Sequence, residues 1–166
     1  MIDFQIQRLL QERRLEEYAA TDDELVGFLR KAARGIGNSH ARISEEGAFL
    51  RANEGAFLSA TAAILNAGYR SRGSAEGHHN DLVLVLRHLG APDLAALANR
   101  WERLKRLRNR SMYDGETQPS TNEVAEMRAV ADELFAIVRN AIFVSRPAVR
   151  ERLPTSPAPK LGRSDP

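Results

Sequence analysis

Helical spacing of the apolar residues most strongly constrains the fold of this chain. Along its 166 residues apolar side chains recur three and four positions apart, and no run of alternating apolar and polar residues is long enough for a convincing strand. Hydrophobic residues make up 43% of the chain, enough for one compact domain with a core. The sequence therefore predicts an all-α protein. Long helices with wide apolar stripes and short connections favour an antiparallel four-helix bundle.

Two capping boxes predict where long helices begin. Thr21 with Glu24, and Ser120 with Glu123, place a hydroxyl and a carboxylate at the spacing that satisfies the free amides of a first turn. We expect these helices to end near residues 43 and 144. Within the first helix, Gly35 and Gly37 each lower the stability of the helix by about 1 kcal/mol relative to alanine. Close packing of a neighbouring backbone would explain why glycine stands at these positions.

The sequence predicts four further segments in the middle of the chain. A helix is expected over residues 45–67, followed by a polar loop over residues 70–77 and a short helix whose apolar part covers residues 82–89. Pro92 then suits the first turn of another long helix, which Gly115 follows at its end.

The two ends of the chain differ from the middle. We expect residues 1–20 to form an N-terminal arm with an amphipathic helix over residues 4–18. The bundle itself is expected over residues 21–145, and a disordered, proline-rich tail over residues 146–166.

The composition limits the chemistry and the cellular location that we expect for this protein. There is no cysteine, which excludes disulfides and thiolate chemistry. The chain has no run of about 18 apolar residues and no signal-peptide pattern. We therefore expect a cytoplasmic protein that does not enter the membrane.

Arg108 is the most informative single residue. A helix through residues 94–112 places Arg108 on an apolar stripe. Burial of its guanidinium there without an anionic partner would cost on the order of several kcal/mol. The alternative is that Arg108 snorkels, with its stem along the stripe and its charge in water. The other members of the stripe are Leu94, Leu97, Trp101, Leu104 and Met112.

A basic cluster surrounds Arg108. The formal net charge is only +2, but six cations fall within eleven residues that contain one acid, Glu102. Such a cluster can hold a phosphate backbone. His78 and His79 open a predicted helix, where free amides and the helix dipole favour phosphate, although helix-start polarity alone also explains them. The six cations are Arg100, Arg103, Lys105, Arg106, Arg108 and Arg110.

Three short strings stand out within residues 45–145. They are Gly68-Tyr69-Arg70 after an alanine-rich helix, Gly77-His78-His79, and a helix ending in Arg106-Leu107-Arg108-Asn109 before Tyr113-Asp114. Together these strings resemble the HEPN domain family. HEPN domains are small four-helix bundles of prokaryotic toxin–antitoxin and defence systems, often paired with a nucleotidyltransferase. Many are metal-independent endoribonucleases.

The family signature is an arginine and a polar residue near the end of the third core helix, followed four to six residues later by a histidine. The resemblance implies that Arg108 and Asn109 are the arginine and the polar residue. Tyr113 stands where the histidine is expected. RNA cleavage by internal attack needs a base for the 2′-hydroxyl and an acid for the leaving oxygen, and a tyrosine of pKa about 10 replaces histidine poorly.

The resemblance thus implies a homodimer without metal or cofactor that binds RNA or nucleotide phosphate. An endoribonuclease would use Arg108, Asn109 and Tyr113. The alternative is a non-catalytic interaction module for a partner such as a nucleotidyltransferase antitoxin, because family members without the histidine are thought to bind rather than cleave. The expected RNA-contacting residues are Arg103, Arg106, Arg110, His78 and His79.

Overall fold

The computed structural model describes residues 3–72, 75–113, 115 and 118–153, with the backbone alone for residues 75–79 and 110–113. This part of the chain is mostly helical, with seven helices and one small antiparallel sheet. None of the described helices combines the length and the apolar composition needed to cross a bilayer. The helices are α1 (Phe4–Gln11), α2 (Asp22–Ser39), α3 (Glu45–Asn66), α4 (Ala75–His88), α5 (Pro92–Tyr113), α6 (Thr121–Ser145) and α7 (Pro147–Arg152), and the strands are β1 (Leu15–Glu17) and β2 (Tyr69–Ser71).

Both predicted capping boxes are formed. The Thr21 hydroxyl accepts from the Glu24 amide at 3.2 Å, and the Glu24 carboxylate accepts from the Thr21 amide at 2.8 Å. The corresponding distances between Ser120 and Glu123 are 3.1 Å and 2.6 Å. The predicted starts of α2 and α6 are therefore confirmed.

Helix α2 ends at Ser39, earlier than the predicted end near residue 43. The reason lies in two contacts outside the helix. Arg128 of α6 donates from Nε to the Ser39 carbonyl at 3.0 Å, which satisfies a carbonyl of the last turn. Ser44 then caps α3 by accepting from the Gly47 amide at 3.0 Å.

The close approach of α2 and α3 explains Gly35, as predicted, but not Gly37. A Cβ added to Gly35 would lie 3.3 Å from both the Arg51 carbonyl oxygen and the Gly55 nitrogen. A Cβ on Gly55 would lie 2.5 Å from Ile36 Cγ1 and 3.2 Å from the Ile36 nitrogen. Nothing lies within 4 Å of a Cβ on Gly37, which is exposed. The two backbones therefore meet at Gly35 and Gly55.

The main core lies between α2, α3, α5 and α6. Helix α3 packs against both α2 and α6, and α5 packs against α4 and α6. Trp101 of α5 is fully buried in this core. Its indole Nε1 donates to Asn53 Oδ1 of α3 at 2.8 Å, a bond that helps to fix α5 relative to α3.

The N-terminal segment corrects the prediction of one helix over residues 4–18. Helix α1 ends at Gln11, and Arg13 then takes a left-handed conformation with φ 58°. The Arg14 amide donates to the Leu9 carbonyl at 3.0 Å, which closes a Schellman motif. This turn reverses the chain direction, so that β1 can pair with β2.

The sequence predicted neither strand of this sheet. Strand β1 lies in a segment predicted as helix, and β2 runs from Tyr69 into the segment predicted as a loop. Strand β1 pairs antiparallel with β2, with Leu15 opposite Ser71 and Glu17 opposite Tyr69. Three-residue strands are too short for a recognisable alternation, which is why periodicity missed them. Side chains of α1 and β1 form a second small core against α3 and α4, so the predicted arm is packed on the domain. This core contains Ile6, Leu9, Leu15, Ile64, Leu82 and Val85.

Two further boundaries differ from the sequence prediction. Helix α4 begins at Ala75, inside the segment predicted as a polar loop. Helix α7 begins at Pro147, inside the segment predicted as a disordered tail. Proline suits the first turn of a helix, and Val149 is fully buried against the core, which stabilises this turn. The remainder of the predicted tail, residues 154–166, lies outside the described residues.

Asp81 of α4 is a buried carboxylate whose partner comes from the N-terminal segment. Its side chain is 1% exposed, whereas that of Arg14 is 43% exposed. Arg14 contacts both carboxylate oxygens, with Nη2 close to Oδ1 and Nε 3.5 Å from Oδ2. The hydrogen bond to Asp81 raises the pKa of Arg14 above its ordinary value.

Substitution of the two glycines tests the α2–α3 contact. We expect Gly55→Ala to lower the free energy of unfolding by about 2 kcal/mol, because the new methyl group overlaps Ile36. Gly37→Ala is the matched control and should raise it by about 1 kcal/mol through helix propensity. Urea denaturation of both variants measures these changes, and stabilisation by both substitutions would contradict the close contact.

Removal of the Arg14 guanidinium tests the Asp81 pair. Arg14→Gln should lower the free energy of unfolding by about 2 kcal/mol, less than for a fully buried pair because Arg14 is partly in water. The control is Arg8→Gln, which removes an exposed pair with Glu12 on the same helix end and should cost under about 0.5 kcal/mol. Equal losses in thermal or urea unfolding would show that Asp81 does not depend on Arg14.

Candidate functional site

The apolar stripe predicted around Arg108 is present on α5. Leu94, Leu97, Trp101 and Leu104 are all buried, and the side chain of Met112 lies outside the described residues. Arg108 itself is buried with them, at 8% exposure. The snorkelling alternative is therefore wrong, because a snorkelling guanidinium would lie in water.

Arg108 has the acidic partner that its burial requires. Its Nη2 lies 3.5 Å from Oε1 of Glu46, in the first turn of α3. The Arg108 side chain is 9% exposed and that of Glu46 is 47% exposed, so the guanidinium is buried while its carboxylate partner is half in water. Glu46 also favours the start of α3, where the helix dipole stabilises an anion. The pair thus joins the end of α5 to the beginning of α3.

Other arginines of the basic cluster are also paired with carboxylates. Two pairs connect α5 to α6, which holds these helices side by side, and the third lies within α5. The pairs are Arg100 with Glu133 at 2.9 Å, Arg103 with Glu126 at 2.5 Å, and Arg106 with Glu102 at 3.1 Å.

Lys105 is the cation of the cluster that lies against an aromatic ring. Its Nζ is 5.5 Å from the centre of the Trp101 ring. Burial lowers the pKa of Lys105, and the negative charge of Glu102 acts in the opposite direction. Acids and a ring therefore already engage the described cations of this cluster, which makes it a weaker phosphate site than the sequence suggested.

The expected site residues are only partly brought together. Arg103, Arg106 and Asn109 are exposed and spaced three residues apart on α5. Arg110 and Tyr113 belong to the last turn of α5, and His78 and His79 to the first turns of α4, but their side chains lie outside the described residues. The roles assigned to these residues stay predictions.

Sequence reasoning missed Glu46 as the partner of Arg108. The two residues are 62 positions apart, and periodicity along α5 carries no information on which acid of another helix faces it. The available signal was the serine at position 44 followed by two acids, which marks a helix start with its anionic first turn.

Exposed apolar side chains occur close to this ion pair in the sequence and on the helices that carry it. Leu107 precedes Arg108 and is 40% exposed, and Leu50 lies one turn beyond Glu46 on α3 and is 57% exposed. Ile43, just before α3, is 47% exposed. We call Ile43, Glu46, Leu50, Leu107 and Arg108 the Arg108 face. Exposed apolar residues a few positions from the members of one interhelical ion pair suit an interaction surface.

Neither metal-ligand geometry nor similarity to known proteins adds to this description. Among the side chains that the structure describes, no group of three or more His, Asp or Glu residues is placed to hold a metal ion. Comparisons with protein-family models, curated proteins and solved structures gave no match to this chain.

Neutralising Glu46 tests whether it balances Arg108. We expect Glu46→Gln to lower the free energy of unfolding by about 1 kcal/mol more than Glu45→Gln, because a buried guanidinium loses its carboxylate while the half-exposed pair is partly screened. Glu45 is a matched control, since it is exposed in the same helical turn and makes the same contribution to the helix dipole. Urea denaturation gives the difference, and two equal losses would mean that Glu46 acts on the dipole alone.

Proposed function

We propose that this chain is a HEPN-like helical protein of a toxin–antitoxin or defence system that acts by binding rather than by cleavage. The four long helices around the main core, α2, α3, α5 and α6, fit an antiparallel four-helix bundle. Arg108 and Asn109 lie in the last two turns of α5, where the family carries its arginine and polar residue. A cytoplasmic location is part of this proposal and agrees with the absence of cysteine.

The observation that carries the proposal is the burial of Arg108 in a pair with Glu46, on two helices that also carry exposed leucines. A catalytic arginine has to reach the phosphate whose charge it stabilises. Arg108, at 9% side-chain exposure and paired with a carboxylate of α3, is better suited to hold two helices together beneath a contact surface. Leu50 and Leu107 supply apolar area for that surface.

A second copy of the chain is the partner that we propose for the Arg108 face. In a two-fold dimer both copies use the same face. The leucines of one copy would then cover those of the other, and no second kind of surface is needed. A nucleotidyltransferase-type antitoxin would be an additional partner of the same system.

A second candidate is the binding of RNA or nucleotide phosphate at Arg108, with metal-independent cleavage. The exposure of Arg103, Arg106 and Asn109 favours it, as does the half-exposed carboxylate of Glu46, which could accept the proton of a 2′-hydroxyl. In this mechanism Tyr113 would protonate the leaving oxygen. The carboxylate partners of Arg103, Arg106 and Arg108 weigh against it.

Charge introduced on the Arg108 face tests the docking proposal. We expect the wild-type protein to sediment as a dimer and the double variant Leu50→Glu, Leu107→Glu to sediment as a monomer, because carboxylates would have to be buried in the contact. Val144→Glu is the matched control, since Val144 is an apolar residue that is 85% exposed on α6. It should leave the dimer intact.

Sedimentation velocity separates the outcomes. A wild-type monomer, or a double variant that remains dimeric, would contradict the proposed face. Circular dichroism of each variant shows whether the helices are retained.

A further inference from the structure

Helix α2 carries three exposed cations, Arg30, Lys31 and Arg34, that the described part of the fold does not neutralise. Arg30 donates to the Arg152 carbonyl at 3.2 Å, a contact that leaves its charge in place. No carboxylate pairs with Lys31 or Arg34 among the residues that the structure describes. On α3, α4 and α5, by contrast, every arginine side chain that the structure describes has a carboxylate partner.

Helical geometry places the three cations on the side of α2 that faces away from the core. At about 100° per residue, Arg30 and Lys31 lie within about 60° of Arg34 around the helix axis. The buried residues Leu25 and Ala32 lie within about 20° of the opposite direction. Gly27, Gly37 and Asn38 share the arc of the cations. We call this surface the α2 outer face, and its members are Gly27, Arg30, Lys31, Arg34, Gly37 and Asn38.

The acids that border the α2 outer face have partners of their own. Residues 25–39 of α2 contain no acid, and the acids at the start of α2 and on α3 beside it are engaged. Arg150 and Glu151 of α7, which packs against α2, are both exposed and offset each other in charge. The three cations therefore stay unbalanced. The engaged acids are Asp22 with Arg146, Asp23 with Arg152, Glu24 with the Tyr18 hydroxyl, and Glu54 with Arg51.

The α2 outer face lowers the stability of its own helix. Arg30 and Arg34 are four residues apart, a spacing at which like charges repel. Gly27 and Gly37 weaken the helix relative to alanine, and nothing in the described fold lies within 4 Å of a Cβ at either position. Residues that break local rules without a compensating contact are expected at functional sites. The face therefore points to a negatively charged ligand from outside the chain.

The composition of the face favours a phosphate backbone over other anionic partners. A helix that binds a membrane surface inserts apolar side chains, and those of α2 lie in the core. A protein partner would find no aromatic or large apolar anchor here. Phosphates need only charge and hydrogen-bond donors, which guanidinium groups present as a fork. The absent side chains of Gly27 and Gly37 leave room for a backbone to approach.

We propose that the α2 outer face binds the phosphate backbone of a nucleic acid through Arg30, Lys31 and Arg34. Arg30 and Arg34 are one helical turn apart, about 6 Å along the axis, so the three cations follow a strand that runs along the helix. Contacts to phosphates carry no direct sequence information, so binding is independent of base sequence. The face shares no residue with the Arg108 face and does not depend on the proposed function.

Binding of fluorescein-labelled nucleic acids to the full chain tests the face. A short single-stranded RNA and a DNA duplex are titrated by anisotropy over a series of salt concentrations. We expect the triple variant Arg30→Gln, Lys31→Gln, Arg34→Gln to bind the RNA about tenfold more weakly than the wild type. The salt slope should fall by about two, since each of three lost contacts removes about 0.7 for a single strand.

A second triple variant removes the same charge from another surface. Arg8→Gln, Arg13→Asn, Arg72→Gln replaces three exposed arginines of α1, the following turn and the end of β2, where Glu12 and Glu16 pair with Arg8 and Arg72. Asparagine suits the left-handed conformation of Arg13. This variant should bind within about twofold of the wild type with an unchanged salt slope. Equal losses in the two triple variants would show that net charge alone matters and would overturn the site.

The choice of ligands identifies the partner. Tighter binding of RNA or of the duplex shows which nucleic acid the face prefers, and equal binding supports a face that contacts the backbone alone. The proposal is overturned if the wild type binds neither, or if it binds only vesicles that contain phosphatidylserine.

Folding of the variants is checked by circular dichroism and urea denaturation. Removal of the repulsion between Arg30 and Arg34 should leave the α2 triple variant at least as stable as the wild type. If that variant does not fold, Arg34→Gln alone should weaken RNA binding about threefold, and unchanged binding by the folded single variant would contradict the face. The dimer measured for the Arg108 face should form in every variant, so the two proposals fail separately.

Discussion

The charge of α5 has to be matched by the helices on which it packs. This helix carries Trp101 into the core and also carries five arginines, of which Arg108 is buried and needs an anionic partner where α5 packs. Glu46 of α3 pairs with Arg108, and two glutamates of α6 pair with other arginines of α5. Together with the Trp101–Asn53 hydrogen bond, these pairs mark the sides of α3 and α6 that face α5. The pairing also leaves few α5 cations available for a ligand.

A second constraint sets the frame that presents these acids. The backbones of α2 and α3 meet at Gly35 and Gly55, where a methyl group would overlap Ile36. Because α6 packs against both helices, their separation determines where α6 lies and therefore where its glutamates meet α5. Steric fit in one part of the core and charge balance in another thus depend on each other.

Much of the fold could be predicted from the sequence, because capping boxes and helical periodicity are local signals. The starts of α2, α3 and α6, the buried stripe of α5 and the reason for Gly35 all followed from residues a few positions apart. The small sheet and the Arg108–Glu46 pair did not, because both join residues more than fifty positions apart. The sequence therefore identified the central arginine of the candidate site but not the acid that pairs with it.

Arg108 is a buried, carboxylate-paired residue, and we propose that it supports a contact surface and does not touch RNA. The affinity of the Arg108→Gln variant for single-stranded RNA, measured on folded protein over a series of salt concentrations, tests this role most directly. If Arg108 does not touch RNA, the affinity of the variant should stay within about twofold of that of the wild type at each salt concentration, with the same salt slope. A loss of about tenfold or more, with a slope reduced by about one phosphate contact, would contradict this role and place Arg108 on the nucleic acid.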